Sequence, residues 1–341
     1  MTNLRLSFIS GLCLALGATA SAVDSVKTTD RTYTGTIQSI SALEVVIAKD
    51  SGPAQRIPVN TIQMVRFDGE PAALNTVRVA VVAGRYEDAA ETLERIDTSN
   101  IKRKEILTEI AFYRAYCAGK TALAQGTPQK ILSAASDLSD FVRTNTQSYH
   151  YVEGCALAGD LLAAAGRHDE AAAYYGQLAK APWPDVRMQA GVAMGRALLA
   201  AGKIQEAQKA FQDVLAITAE GELIQRQRRA ATIGLARCMA ETGQDVEKAI
   251  DALQEVIDQT DPEDHEVLAQ AYNALGAAYR KTGQTKEALL AFLHTDVLYF
   301  RATQEHIEAL QNLAELWNQV QRPERAAEAE KTLRDRYKRS P

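Results

Sequence analysis

Apolar residues follow two rhythms along this chain. Between residues 24 and 67 they alternate, and beyond residue 71 they recur every three or four positions. Tyr33 to Ile40 reads as a strand, and Leu43, Val45 and Ile47 alternate with Glu44, Val46 and Ala48. Asp50-Ser51-Gly52-Pro53 predicts a turn, and Ile57–Val59 and Ile62–Phe67 predict two more short strands. About five strands in so short a span predict a small all-β barrel, because closure removes exposed sheet edges.

The helical rhythm starts after Asp68-Gly69-Glu70-Pro71. Leu74–Ala83 and Tyr86–Ile96 form a first helix pair around Gly84. Lys102–Leu123 is the long helix of a second pair, whose partner starts with Thr127 as cap and Pro128 in the first turn. A third pair turns at Gly166, and Pro182 and Pro184 separate it from a fourth that turns at Gly202. The fifth runs from about Leu223 to Thr260 and turns at Gly243. The sixth occupies Glu263–Tyr299, with Leu268, Ala271, Tyr272, Leu275, Ala278 and Tyr279 on one face before Gly283 and Ala288, Leu289, Phe292 and Leu293 after it. The seventh spans about Thr303–Arg336, with Pro323 opening its second helix. A pair this short cannot bury its apolar face alone and must stack on copies of itself.

The copies share a spacing. Gly276, Gly283 and Ala288 stand seven and five residues apart, as do Gly195, Gly202, Ala207 and Gly159, Gly166, Ala171. Tyr175, Phe211 and Phe292 each follow the alanine by four residues. The pattern at Tyr272, Leu275, Gly276, Tyr279, Ala288 and Phe292 resembles the tetratricopeptide repeat. That resemblance implies a mainly α chain, a right-handed α-solenoid of about seven helix hairpins preceded by the small barrel. Intervals of 36, 41 and 40 residues between Gly166, Gly202, Gly243 and Gly283 exceed the family's usual period of about 34, so longer helices or loops are expected. The second pair is expected to lack the glycine spacing. The alternating segment is similar in pattern to SH3-like or Sm-like barrels. It shows neither the aromatic cluster that grips proline-rich peptides nor the signature of RNA-binding Sm proteins. A small barrel ahead of such repeats resembles exported bacterial repeat proteins.

Residues 1–22 read as a secretory signal. Arg5 supplies a positive start, Leu6–Leu16 is apolar, and Ala20-Ser21-Ala22 offers a cut after Ala22. The apolar run is short for the alternative, an uncleaved membrane anchor. Ser10-Gly11-Leu12 before Cys13 matches a lipoprotein signal poorly. The expected organisation is a signal peptide at 1–22, a small β-barrel at 23–70 and the solenoid at 71–341. The expected location is the periplasm or cell envelope, with secretion as a variant, and no later segment is apolar enough to span a membrane.

Composition narrows the chemistry. Formal net charge is −5, so no general attraction to nucleic acid is expected. Cys117, Cys155 and Cys238 are widely spaced, which predicts three buried thiols in preference to one disulfide and a free thiol. The five histidines, His150, His168, His265, His294 and His306, form no metal-binding pattern. Phosphate-binding loops and a nucleophile elbow are absent from the sequence. No catalytic residue, metal or cofactor is predicted. Glu153 and Asp160 share a helix face that could in principle host paired carboxylates, but a solvated face is the preferred reading.

The resemblance places the first helix of each pair along a concave groove. It assigns Glu153, Ala156 and Asp160 to that face, then Gln189, Val192 and Arg196, then Ala230, Ile233 and Arg237. Gln270, Asn273, Ala277, Arg280 and Lys281 follow, then Gln311, Glu315 and Asn318. Arg196 and Arg237 hold equivalent places and, with Arg226, Arg228 and Arg229, would form a basic strip for an acidic peptide or terminal carboxylate. The alternative is that these arginines pair with local carboxylates. Asn273 matches one position of the carboxylate clamp of chaperone-binding repeats, but Ala277 stands where a second asparagine belongs. The sequence therefore predicts a non-enzymatic scaffold for a protein or peptide partner. An envelope enzyme with a motif-free site and a spacer presenting the barrel are the alternatives.

Overall fold

The computed structural model describes residues 23–49 and 52–338. The expected signal peptide, Cys13 and two residues of the Asp50–Pro53 turn lie outside the described residues. Five strands come first: β1 (Asp24–Thr28), β2 (Thr32–Ile40), β3 (Glu44–Ala48), β4 (Gln55–Pro58) and β5 (Ile62–Arg66). They form one antiparallel sheet in the order β4-β3-β2-β1-β5. The nine-residue β2 serves two neighbours: Thr32–Gly35 pair with β1 and Thr36–Ile40 pair with β3. Alternation is realised as expected, with Val45 and Ile47 buried between half-exposed neighbours.

The expected barrel does not close. A 3-10 turn at Val59–Thr61 leads straight from β4 into β5, yet these two strands end opposite sides of the sheet order, and no ladder joins them. Closure is replaced by packing. Val26, Val45, Ile47, Ile57 and Val65 share one core with Phe67 and with apolar residues of the first helices.

Among the described residues, fourteen helices follow as seven hairpins. These are α1 (Ala72–Val82) with α2 (Tyr86–Glu94), α3 (Lys104–Gln125) with α4 (Pro128–Thr144), and α5 (Tyr151–Ala164) with α6 (His168–Leu178). Then come α7 (Pro184–Ala200) with α8 (Ile204–Leu215), and α9 (Glu222–Thr242) with α10 (Val246–Gln259). The last are α11 (His265–Lys281) with α12 (Thr285–Leu298), and α13 (Thr303–Gln319) with α14 (Pro323–Tyr337). Each helix packs on the next, and first helices also touch, as in α3 with α5, α7 with α9 and α9 with α11. The long intervals come from the 21-residue α9 and from the loop between α10 and α11. Thr127 occupies the cap position of α4 without a capping bond, and Pro128 is in the first turn.

The small residues act as the spacing suggests. Gly283 closes its hairpin at φ +76°, a conformation that costs other residues energy. Gly276 has another role: a Cβ there would lie 2.7 Å from the Phe292 ring. Gly195 faces Phe211 and Gly159 faces Tyr175 in the same way, each at 2.6 Å. The aromatic residue after the hairpin therefore enters the gap left by the glycine before it. Phe211 is gripped twice, because Gly234 of the next hairpin would bring a Cβ within 2.3 Å of the same ring. The second pair is not free of the spacing: Gly119 and Gly126 stand seven residues apart, and Gly126 adopts φ +63°. Ile131 replaces the alanine, and Leu138, Leu157 and Leu161 crowd Gly119 instead of a ring. Cys117, Cys155 and Cys238 are all free and buried, and burial pushes each thiol up to about 11.

Asp24 pins the sheet to the helices. Its carboxylate accepts from the backbone N–H of Ile37 and of Asp68, both at 2.8 Å, and from Arg103 at 2.6 and 2.9 Å. Burial opposes its ionisation, but Arg103 and the two amides outweigh burial and hold the carboxyl below its usual range.

Two outcomes follow from this packing. Gly276→Ala should lower unfolding free energy in urea by about 1–3 kcal/mol, and Phe292→Leu should return part of that loss in the double variant. Asp24 has a depressed folded pKa, so its stabilisation is present above the unfolded value near 3.9 and disappears as pH falls through the folded one. Asp24→Asn should cost about 1–3 kcal/mol at pH 7 and flatten the acid limb of a stability-against-pH curve.

Candidate functional site

A groove of about 520 Å³ opens where the sheet meets the concave side of the helices. One wall is the β4–β5 turn and β5, through Val59, Asn60, Ile62, Gln63 and Met64. The opposite wall comes from α5 and α7, through Val152, Glu153, Ala156, Asp160, Gln189 and Ala193. Tyr113 and Tyr116 of α3, Tyr175 of α6 and Trp183 before α7 complete it. Trp183 is placed by the Pro182 and Pro184 break that the sequence marked as a boundary, since proline at a helix start fixes where the chain turns.

Two carboxylates face this groove from one side of α5. Glu153 and Asp160 are seven residues apart, two helical turns, and both are exposed. Tyr175 donates to Asp160 Oδ1 at 2.7 Å. Glu153 interacts with the Tyr116 hydroxyl and lies 3.5 Å from His150 Nδ1. Burial first, then these carboxylates, push both tyrosine hydroxyls above their ordinary pKa, so both remain proton donors. Among the described residues, no lysine or arginine pairs with Glu153 or Asp160. The groove is thus aromatic and apolar with two exposed carboxylates, and the buried Arg78 and His150 also reach its wall.

Beneath it lies a buried ionic knot. Arg78 of α1 gives Nη1 and Nη2 to Glu70 at 2.6 and 2.8 Å, and Nε and Nη2 to Glu109 of α3 at 3.1 and 3.0 Å. Glu109 also accepts from Tyr149 at 2.8 and 2.9 Å and meets His150 Nε2 at 3.0 Å. Arg78 and Glu109 are each 1% exposed, so neither is stable without the other. Burial disfavours ionised Glu109, but His150 and Arg78 outweigh it and hold its carboxyl below the usual range. Burial likewise disfavours protonated His150, and Glu109 outweighs it, raising the imidazole. The stacked Phe112 ring, centroid to centroid 3.6 Å, fixes the His150 plane.

Sequence reasoning missed Arg78, Glu109 and His150 as a group. The signal was available: Arg78 sits on the same face as Leu74, Val77 and Val81, and Glu109 lies among Ile106, Ile110 and Tyr113. Charge on an apolar helix face announces a buried partner. It also missed Tyr116 and Trp183 as wall residues, although it found Glu153, Ala156, Asp160 and Gln189.

Six of the remaining predicted groove residues lie farther along, in a second hollow of about 400 Å³. Arg196, Ala230, Ile233, Arg237, Gln270 and Ala277 line it together with Glu305 and Glu308. Here the basic strip is occupied from within. Arg237 pairs with Glu308 at 2.8 Å across to α13. Arg196 donates to Gln270 at 2.7 Å, and Gln270 donates to Glu305 at 3.2 Å. Arg196 is solvent-exposed yet flanked by both walls, and loss of surrounding water, with Arg237 nearby, lowers its guanidinium from the ordinary value. Asn273 is fully buried and donates to Glu305 O and Glu308, which removes it from any clamp. Arg280 is held by Asn312 and by Glu315 at 2.8 Å, and Lys281 by Glu241 O at 3.1 Å. Arg226 lies 3.3 Å from Glu266, and Arg228 donates to Ile217 O at 2.6 Å. Gln311 and Asn318 are exposed on α13 and line neither hollow. Among the described residues, Arg237 and Arg226 of the anticipated basic strip meet carboxylates, while Arg196 meets a neutral amide and Arg228 a backbone carbonyl.

Among the described residues, no cluster of His, Cys, Asp or Glu has the arrangement of a metal site, and no helix is long and apolar enough to cross a membrane.

Residues 192–265 match the family profile of the tetratricopeptide repeat. No curated protein matches the chain. A tetratricopeptide repeat protein from Parabacteroides merdae is 16% identical with a TM-score of 0.55, over 76% of this chain and 90% of that one. The C-terminal part of a repeat-containing protein from Cytophaga hutchinsonii is 14% identical with a TM-score of 0.47, over 76% and 94%. The Parabacteroides likeness shows the fold, a helix-hairpin solenoid of tetratricopeptide type.

Arg78→Met should destabilise the chain by about 3–5 kcal/mol in urea or thermal unfolding, because it leaves Glu109 buried beside fewer cations. Removal of the exposed Arg95 from its pair with Glu91 should change stability by under about 0.5 kcal/mol.

Proposed function

We propose that this chain is a non-enzymatic scaffold that holds a protein or peptide partner in the groove between its N-terminal sheet and its first four hairpins. Solenoids of this type generally serve protein–protein interaction, and their concave side is the extended surface they present. One observation carries the assignment: sheet and helices contribute opposite walls to a single aromatic-lined groove. Aromatic side chains concentrate binding energy when a partner covers them.

The enzyme alternative is favoured by one feature, the buried Glu109 and His150 beside the groove. Their contacts count against it. Glu109 is engaged by Arg78, Tyr149 and His150, and His150 is held between Glu109 and Glu153, so the pair is committed to structure. The short positive start and apolar run of residues 1–22 support export to the cell envelope, where the partner would be met. Fusion of residues 1–30 to a reporter enzyme active only outside the cytoplasm tests that part.

The binding assignment is tested by filling the groove. Ala156→Trp with Ala193→Trp should abolish capture of the protein that wild-type chain retains from an envelope extract. Leu290→Ser, on an exposed site away from the groove, should leave capture intact. Equal capture by the filled variant removes the groove from the account.

A further inference from the structure

The β5 strand contributes three consecutive residues, Ile62, Gln63 and Met64, to the groove wall. Side chains of successive strand residues point to opposite faces. Lys27 pairs with Met64 and Thr28 with Ile62, so Gln63 is the extra residue of a bulge, and the hollow follows this irregular stretch at the end of the sheet. That edge is unpaired: β5 ends the sheet order, with β1 on its only occupied side among the described residues. An open strand edge presents a row of N–H and C=O groups ready to pair with another chain.

The two sheet edges differ. The far edge, β4, is only four residues long, ends in Pro58, and carries Arg56 paired with Glu44. Short length, proline and charge are the usual ways to blunt an edge. β5 has no proline, and its charge is confined to Arg66 at its end, although Gln63 is bulged. The β5 edge is the longer of the two, lacks proline and is the one beside the groove. Across from it stand Glu153 and Asp160, whose partners are tyrosine hydroxyls and His150, with no lysine or arginine of the chain upon them. The second hollow is the reverse case, since it is lined by arginines, of which Arg237 is paired with Glu308 and Arg196 donates to Gln270.

Resting on the groove-binding function above, we propose that the occupant is an extended peptide segment that adds as a further strand along β5 and directs a lysine or arginine side chain to Glu153 and Asp160. Backbone pairing along the edge supplies affinity without regard to sequence. The carboxylates, with Tyr116, Tyr175 and Trp183 about them, supply selection, because a cation is favoured both by the anions and by aromatic faces. The partner is thus a basic, strand-forming segment, opposite in charge to the one the arginine strip suggested.

The test selects random dodecapeptides displayed on phage against the full chain, then synthesises the enriched peptides. Enriched peptides should carry lysine or arginine among apolar residues, and lysine→norleucine should weaken binding about five- to tenfold. Glu153→Gln with Asp160→Asn should weaken the lysine peptide by a similar factor and leave the norleucine peptide unchanged. N-methylation of the peptide backbone should abolish binding at every second position only, as strand pairing demands. Peptides that bind wild type, fail to bind the groove-filled variant, yet lack basic residues or ignore N-methylation would overturn this proposal and leave the groove function standing. Enriched peptides indifferent to groove filling, or no enriched peptide, would overturn both.

Discussion

The close approach of glycine to an aromatic ring sets the geometry of the helical array. Gly159, Gly195 and Gly276 each lack the Cβ that would strike the ring of Tyr175, Phe211 or Phe292. Helices packed this tightly leave little room for water or void, and interiors at such density transmit shape from one unit to the next. Phe211, lodged between Gly195 and Gly234, joins two hairpins through one ring. Stability of a stacked array is built from such neighbour contacts. The curve that creates a concave side depends on them.

The first hairpins add a different constraint. Their inner face receives a sheet, and the junction is held by charge as well as by apolar packing. Asp24 gathers two strand amides and Arg103, while Arg78 joins Glu70 at the entry to the helices with Glu109 one hairpin on. Buried pairs of this kind contribute little net stability compared with an apolar replacement, yet losing one partner is costly. They act as registers: sheet, α1 and α3 can meet in few other ways. The groove is a consequence of that register. Residues of β5, α5 and α7 line it together.

Charge is distributed unevenly along the concave side. In the C-terminal half, arginines reach across the curve to glutamates of later helices, as Arg237 does to Glu308 on α13. These links tie α7 to α11, and α9 and α11 to α13. In the N-terminal half, the carboxylates of α5 face only hydroxyls and an imidazole. The same helix-face logic that nominated both sets could not tell a bridged arginine from a free one. Residues such as Arg196 and Gln270 are 74 positions apart, and only curvature brings them within 2.7 Å.

Hairpin number, the turns at Gly202 and Gly283, the alternating strands and the buried thiols were legible in the sequence, because each depends on periodicity or on backbone freedom within a few residues. The Gly119–Gly126 spacing was legible too, but Ile131 in place of alanine hid it. Whether the sheet would close, which arginines would be spent internally, and that β5 would confront Glu153 and Asp160 were decided by tertiary structure. Those outcomes hinge on where distant elements meet, and an amino-acid pattern records which face of a helix is apolar without recording what will lie across from its polar one.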